Sequence, residues 1–289
     1  MSTDVLIQTI ANSFVAGSIY ATVAVGLALA FGVMKMANFA HGEFFMVGAY
    51  VVYIFYALGG VPFWAAVLLA FPIVALFGVA TERLIFRPTR GNVLAGFMAT
   101  AGLAFILQVL VGQLWGVGLM RSVPTPYMGA IEIAGAAIGW QRLIVIPSAF
   151  AMLALLWFFL YRVKLGKGLR ACAQDPEAAA LQGISINRMT ALAMGIAGGS
   201  AGISGALMAP VHPVTPYMGH AIILTAFIVV ILGGMESVGG AVAAAMILGF
   251  IHTFVTTVSD AIVAQMVGVG FMALILILKP SGLLGRVKA

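Results

Sequence analysis

The chain has 289 residues, of which 63% are hydrophobic and 8% charged, and its formal net charge is +6. A water-facing globule needs roughly a quarter of its residues charged, so 14 Lys+Arg and 8 Asp+Glu exclude a soluble protein. The basic excess gathers in a few short loops, the habit of the cytoplasmic side of a membrane protein, and implies no nucleic-acid partner.

Apolar segments recur at about 5–33, 39–58, 62–82, 93–116, 143–161, 190–210, 220–234, 238–254 and 260–278. Most are near the ~20 residues that cross a hydrocarbon layer as helix. The alternating strands of an outer-membrane barrel do not occur. The fold expected is all-α, a polytopic transmembrane helical bundle of eight or nine spans. It forms a single domain over 1–289 with no separate soluble part. The opening Met1-Ser2-Thr3-Asp4 lacks the basic start of a cleavable signal, which predicts that the first helix is retained. The stretch 220–254 is too long for one helix, and Gly233, Gly234, Glu236, Gly239 and Gly240 interrupt it. Its two pieces are short, which predicts one broken or half helix lining a cavity.

Positive charge sets the orientation. Lys35 follows the first segment, Arg83, Arg87 and Arg90 the third, and Arg162, Lys164, Lys167, Arg170 and Arg188 the fifth; Lys279, Arg286 and Lys288 end the chain. With nine crossings all four groups fall in the cytoplasm, the N-terminus is periplasmic and the C-terminus cytoplasmic. Eight crossings would set the tail opposite the 162–188 loop. The loop 117–142 then faces outward.

Gly195, Gly198, Gly199, Gly202 and Gly205 put small residues four apart on the sixth segment, read as close packing inside the chain, with a dimer interface as the alternative. Trp115, Trp140, Trp157 and Tyr161 sit near segment ends as interfacial residues. Cys172 is the single cysteine, so no intrachain disulfide forms. A short echo links Met36-Ala37-Asn38-Phe39-Ala40-His41-Gly42 to Met208-Ala209-Pro210-Val211-His212-Pro213, each after a Gly-rich helix. An inverted repeat and chance explain it equally.

The long polar island at 162–189 contains Arg170-Ala-Cys-Ala-Gln-Asp175-Pro176-Glu177-Ala178-Ala179-Ala180-Leu181-Gln-Gly183. Asp175 suits an N-cap, Pro176 the first helical position, Glu177 the positive end of the dipole and Gly183 a left-handed stop. The predicted helix has about two turns, too short to stand alone in water, and needs a surface to dock on. Small alanines admit another backbone, and Leu181 offers an apolar anchor. Taken by itself the island also fits a solvated basic loop against anionic membrane lipid.

The run Glu177-Ala-Ala-x-x-x-Gly183 resembles the coupling motif of ABC importer permeases, the short helix that sits in a cleft of the ATPase subunit. Three blocks narrow the resemblance: Asn38-Phe39-Ala40-His41-Gly42-Glu43, Leu232 to Ala241, and Lys279-Pro-Ser-Gly-Leu-Leu-Gly285. In this order, from about residue 10 to 286, they resemble the branched-chain amino acid permeases of the LivH type rather than its longer partner. Met235 and Lys279 depart from the commoner pattern. The resemblance implies a multi-pass protein of the bacterial inner membrane, and a homologous second permease subunit. It also implies two ABC ATPase subunits that carry ATP-Mg, a periplasmic substrate-binding protein, and no cofactor on this chain. It assigns Arg170, Asp175, Pro176, Glu177, Ala178, Ala179, Leu181 and Gly183 to ATPase coupling.

Asn38, His41 and Glu43 adjoin the second segment, where ionisable groups are costly and functional by default. Asn38 fits the N-cap with His41 and Glu43 in the first turn. The readings are a cytoplasmic gate beside Lys35, which is preferred, or direct contact with substrate. Gly233, Gly234 and Glu236 are further path residues. His212, Pro213 and Tyr217 form a proline-stiffened outer connection, either a rim under a binding protein or a plain turn. No G-x-x-x-x-G-K-[ST] phosphate loop, H-E-x-x-H or G-x-S-x-G motif occurs, so neither ATPase nor hydrolase chemistry is expected here. The expected function is import of leucine, isoleucine or valine by alternating access. Urea, amides or aromatic acids as cargo, a passive channel or secondary carrier, and a membrane scaffold are the alternatives.

Overall fold

A computed structural model describes residues 1–235 and 237–284. Among these residues eleven α-helices follow one another: α1 Thr3–Met34, α2 His41–Val52, α3 Phe63–Thr81, α4 Val93–Trp115, α5 Trp140–Arg162, α6 Lys164–Gln174, α7 Pro176–Leu181, α8 Ile186–Met208, α9 Met218–Gly233, α10 Val238–Val258 and α11 Ala261–Leu278. Helix α2 runs on as π-helix through Tyr53–Leu58 and α3 through Glu82–Phe86. Among the described residues eight helices are long and apolar enough to cross a membrane. A further apolar helix, α9, has 16 residues, about 24 Å against the ~30 Å of a hydrocarbon core. It is the half helix expected from the glycine break.

Burial separates two shells. In the most apolar stretch of α1 and of α8, 78% of residues are buried, against 11% in α11. Helices α1, α2 and α8 therefore make the core, and α3, α4, α5 and α11 present their leucines and phenylalanines to lipid. The glycine stripe of α8 explains why. A Cβ at Gly48 of α2 would run into the Gly202 carbonyl, one at Gly205 into the Phe45 carbonyl, and one at Gly78 of α3 into the Met194 carbonyl. The stripe thus serves packing within the chain. Thr22 and Ser204 hydroxyls, 2.6 Å apart, tie α1 to α8.

Helix α6 was absent from the expected elements, because Lys164, Lys167 and Arg170 read as loop charges. Its buried face is Gly166, Leu169 and Cys172, three residues apart, which is helical spacing. The connection between α4 and α5 also holds an antiparallel hairpin, β1 Ala130–Ile133 and β2 Ala136–Gly139. Its two-residue turn places Ala134 at φ 48 and Gly135 at φ 86, the left-handed pair that tight hairpins require.

Candidate functional site

Two connections dip into the bundle from opposite ends. Lys35 stops α1 in a left-handed conformation (φ 55), and the chain turns back. Phe39 N–H donates to Thr100 Oγ1 (3.3 Å), and the His41 ring nitrogen Nε2 lies 3.1 Å from the Val23 carbonyl. Val23 is eleven residues from the end of α1, about 16 Å up the helix. Helix α2 therefore starts deep in the bundle, not at its surface. From the other end, residues 209–217 descend and α9 starts at Met218 beside it. A Cβ on Gly42 would strike the Gly219 carbonyl, and one on Gly219 the Gly42 carbonyl. The two helix beginnings meet backbone to backbone, the arrangement of broken helices at the centre of transporters. The sequence echo at 36–42 and 208–213 marks these two dips, although a 39–58 segment of full-span length concealed the first.

Asn38, His41 and Glu43 are all buried at this junction, each 1% exposed or less. The structure corrects the capping expectation: the N-cap of α2 is Ala40, with no side-chain cap bond. Asn38 Oδ1 instead accepts the Ala40 N–H (3.0 Å), closing a turn that the tight reversal demands before the helix begins. Glu43 Oε1 accepts from Gln108 Nε2 (2.8 Å). Glu43 Oε2, His41 Nδ1 and Asn38 Nδ2 have no protein partner. Buried polar atoms are normally paired, so three orphans at one junction mark a place where a solute, water or rearranged backbone completes the set. The preferred cytoplasmic position for these residues is also corrected, since Gln108 is the sixteenth residue of α4, about 22 Å from its start.

At the α6–α7 end, Asp175 Oδ1 accepts from Glu177 N (2.9 Å) and Ala178 N (3.0 Å), with Pro176 at the first position of α7. Gly183 (φ 79) ends the helix, with Gly183 N–H on the Ala180 carbonyl and Ile184 N–H on the Ala179 carbonyl. That pair of bonds is a Schellman closure. Leu181 is 86% exposed, whereas Ala179 is buried against the chain; Glu177, Ala178 and Gly183 face outward. Arg170 turns inward. Its Nε donates to the Leu160 carbonyl (3.0 Å), and its guanidinium covers the Tyr161 ring at 4.4 Å. It clamps α6 to α5 rather than facing out with Leu181.

Sequence reasoning missed Glu82. Its side chain is fully buried, 2.9 Å from Arg87 and 3.5 Å from Arg90, and accepts from Thr190 Oγ1 (2.8 Å). Arg90 also reaches Asn187 Oδ1 (2.7 Å). The end of α3 is thereby tied to the first turn of α8, a few residues after α7. The signal was present as one acid followed by arginines five and eight positions on.

At the opposite end, Arg121 and Val214 exchange backbone hydrogen bonds (2.9 and 2.8 Å), joining the hairpin loop to the second dip. His212, Pro213 and Tyr217 are exposed on this rim. His212 lies outside the spans, and partial desolvation, then nearby Arg142, hold its imidazole below the usual range. Gly233 packs against Gly240 and Gly234 has φ 97, while Leu283 N–H donates to the Leu232 carbonyl (2.8 Å), so the tail seals the α9–α10 turn. Glu236, Gly285, Arg286 and Lys288 lie outside the described residues. No group of three or more metal-ligating side chains occurs among the described residues.

Residues 9–279 match the family described as branched-chain amino acid transport system / permease component. The chain is 30% identical to the high-affinity branched-chain amino acid transport system permease protein BraD of Pseudomonas aeruginosa, over 97% of this chain and 96% of that one. It is 32% identical to the permease protein LivH of Escherichia coli over the same shares. It is 26% identical to the LivM permease protein of Escherichia coli, over 92% of this chain and 68% of that one. No solved structure matches. With nearly its whole length aligned, this chain belongs to the permease-component family of branched-chain amino acid transport systems.

Proposed function

We propose that this chain is a permease subunit of an ATP-binding-cassette importer that moves leucine, isoleucine or valine across the bacterial inner membrane. The observation that carries the coupling part of this reading is α7. A two-turn helix capped at both ends and presenting Leu181 to solvent is a preformed plug for a cleft. A preformed plug loses little ordering entropy on docking.

The partners are a second, homologous permease, two ATPase subunits that bind ATP-Mg and a periplasmic binding protein. The N-terminus is periplasmic, and the α6–α7 end and the tail are cytoplasmic. Nucleotide binding moves α7; α8 begins directly after it and is held to α3 through Glu82. Because α8 packs on α2 and α3 through glycines, a shift of α8 reaches the Gly42–Gly219 junction without side-chain slack. Asn38, His41 and Glu43 act there as the gate of the path, with Gly233 and Gly234 at its inner end. His212, Pro213 and Tyr217 form the rim that meets the binding protein.

Uptake of labelled leucine, urea and benzoate by the reconstituted importer, with and without ATP, tests this reading. ATP-dependent accumulation of leucine is expected. Accumulation of urea or benzoate instead refutes the cargo, and accumulation without the ATPase subunits refutes the coupling. Gly183→Leu and Glu177→Lys should both insert and lose ATP-driven uptake; a side chain at Gly183 has open space but strains the left-handed φ of 79 that closes α7, whereas Glu177→Lys changes only an exposed charge. Full uptake by both removes the role of α7.

A further inference from the structure

Helix α9 begins halfway across the bundle, so the space above it is bounded by other elements. A cavity of about 430 Å³ lies there, between the outer parts of α1, α10 and α11 and the first turns of α9, under Val211 and His212. Its volume falls in the range of small-molecule sites, roughly 300–1,000 Å³.

The lining is unlike a lipid-facing groove. Arg142 is the one Asp, Glu, Lys or Arg in it. Its Nη1 donates to Asn12 Oδ1 (2.8 Å), and among the described residues no carboxylate pairs with it. A guanidinium has five N–H donors, so most remain for an anion. Deeper in, His252 is 7% exposed, and its Nε2 and the Gln265 Nε2 are buried without partners. An acyl chain could not satisfy such groups. Between these polar ends stand Val15, Ala16 and Ile222, which suit a small apolar side chain. A cation lacking a counter-ion, unpaired polar atoms and an apolar wall together describe a small carboxylate-bearing solute.

We propose that this cavity is an outer loading subsite, in which Arg142 holds the carboxylate of the amino acid before the Gly42–Gly219 junction opens. This assignment rests on the import reading above. Carboxylate–guanidinium pairing is bidentate and geometrically selective, so Arg142 orients the solute with its side chain toward α1 and α9. Neither His41 nor Glu43 lines the cavity; loading and passage are therefore separate steps at separate residues.

The test uses the complete importer in proteoliposomes, carrying Ala221→Cys on the cavity wall. A small membrane-impermeant thiol reagent is added from the periplasmic face, without binding protein. Millimolar leucine should slow labelling about tenfold, the scale of one charge-assisted contact. Arg142→Gln should abolish that protection and Arg142→Lys should retain part of it. Protection that survives Arg142→Gln overturns the assignment, as does full labelling in the presence of leucine. Labelling blocked before leucine is added means that another subunit fills the cavity, and labelling that follows lipid composition alone means that a headgroup does; either result overturns it. If the unmodified importer shows no ATP-driven leucine uptake, the import reading fails and this one with it. Uptake without protection removes the subsite alone.

Discussion

The two dips into the bundle share a plan and differ in material. Residues 35–40 and the start of α2 contain no proline; Met36, Asn38, Ala40 and His41 are buried, and side-chain polar groups hold the turn. Residues 209–217 hold Pro210, Pro213 and Pro216, expose His212, Pro213 and Tyr217 at the end of the bundle and are anchored by a backbone bridge to Arg121. Proline fixes its own φ and removes a donor, so the second dip is a stiff wall. The first dip holds its shape through hydrogen bonds that can be exchanged. The contrast assigns movement to the α2 side and stability to the α9 side.

Four variants and one control test that contrast, the variants running from largest effect to smallest. Gly42→Leu forces a side chain into the Gly219 carbonyl and should cost about 3 kcal/mol of stability, read as a collapse in thermal midpoint and uptake. Gly102→Ala, where a Cβ meets nothing within 4 Å, should leave both unchanged; equal behaviour of the two would remove the junction. Glu43→Gln should change the rate of leucine uptake several-fold while the affinity of the binding protein for leucine stays fixed, and an unaltered rate would take Glu43 out of the gate. Pro213→Ala combined with Pro216→Ala should lower stability by about 0.5–1 kcal/mol per site through a more flexible unfolded chain, with little change in uptake per folded molecule. A large loss of uptake would show that the wall moves. His212 titrates below its ordinary range in the folded protein, so the unfolded chain takes up a proton first as pH falls. Its contribution to stability is full above the ordinary imidazole range and declines as pH drops through that range toward the folded value. Thermal unfolding measured from about pH 7 to about pH 5 should show a shallower slope for His212→Gln than for the unmodified chain.

Local chemistry made α7 legible. Asp175, Pro176 and Gly183 each satisfy a backbone requirement that depends on near neighbours, so the helix could be drawn from its ends. The glycine break at 233–240 was legible for the same reason. The depth of α2 was not, because hydrophobic length reports that a segment fits a membrane, not where it starts. Its position depends on contacts with Val23, Gln108 and Gly219, distant in sequence. Helix α6 was hidden by its lysines, whose charge spoke louder than the spacing of Gly166, Leu169 and Cys172. Glu82 went unseen because a carboxylate beside arginines reads as an ordinary cytoplasmic end until Thr190 and Asn187 are brought alongside.

The bare flank of α8 has a mechanical consequence. Where carbonyls touch carbons directly, as at Gly48–Gly202 and Phe45–Gly205, there are no torsions about side-chain bonds to soak up a small displacement. A push delivered at Ile186 must then emerge undiminished near Met208. Such a rod tolerates few substitutions along its length, and it lets a minor adjustment at one membrane surface be felt at the other.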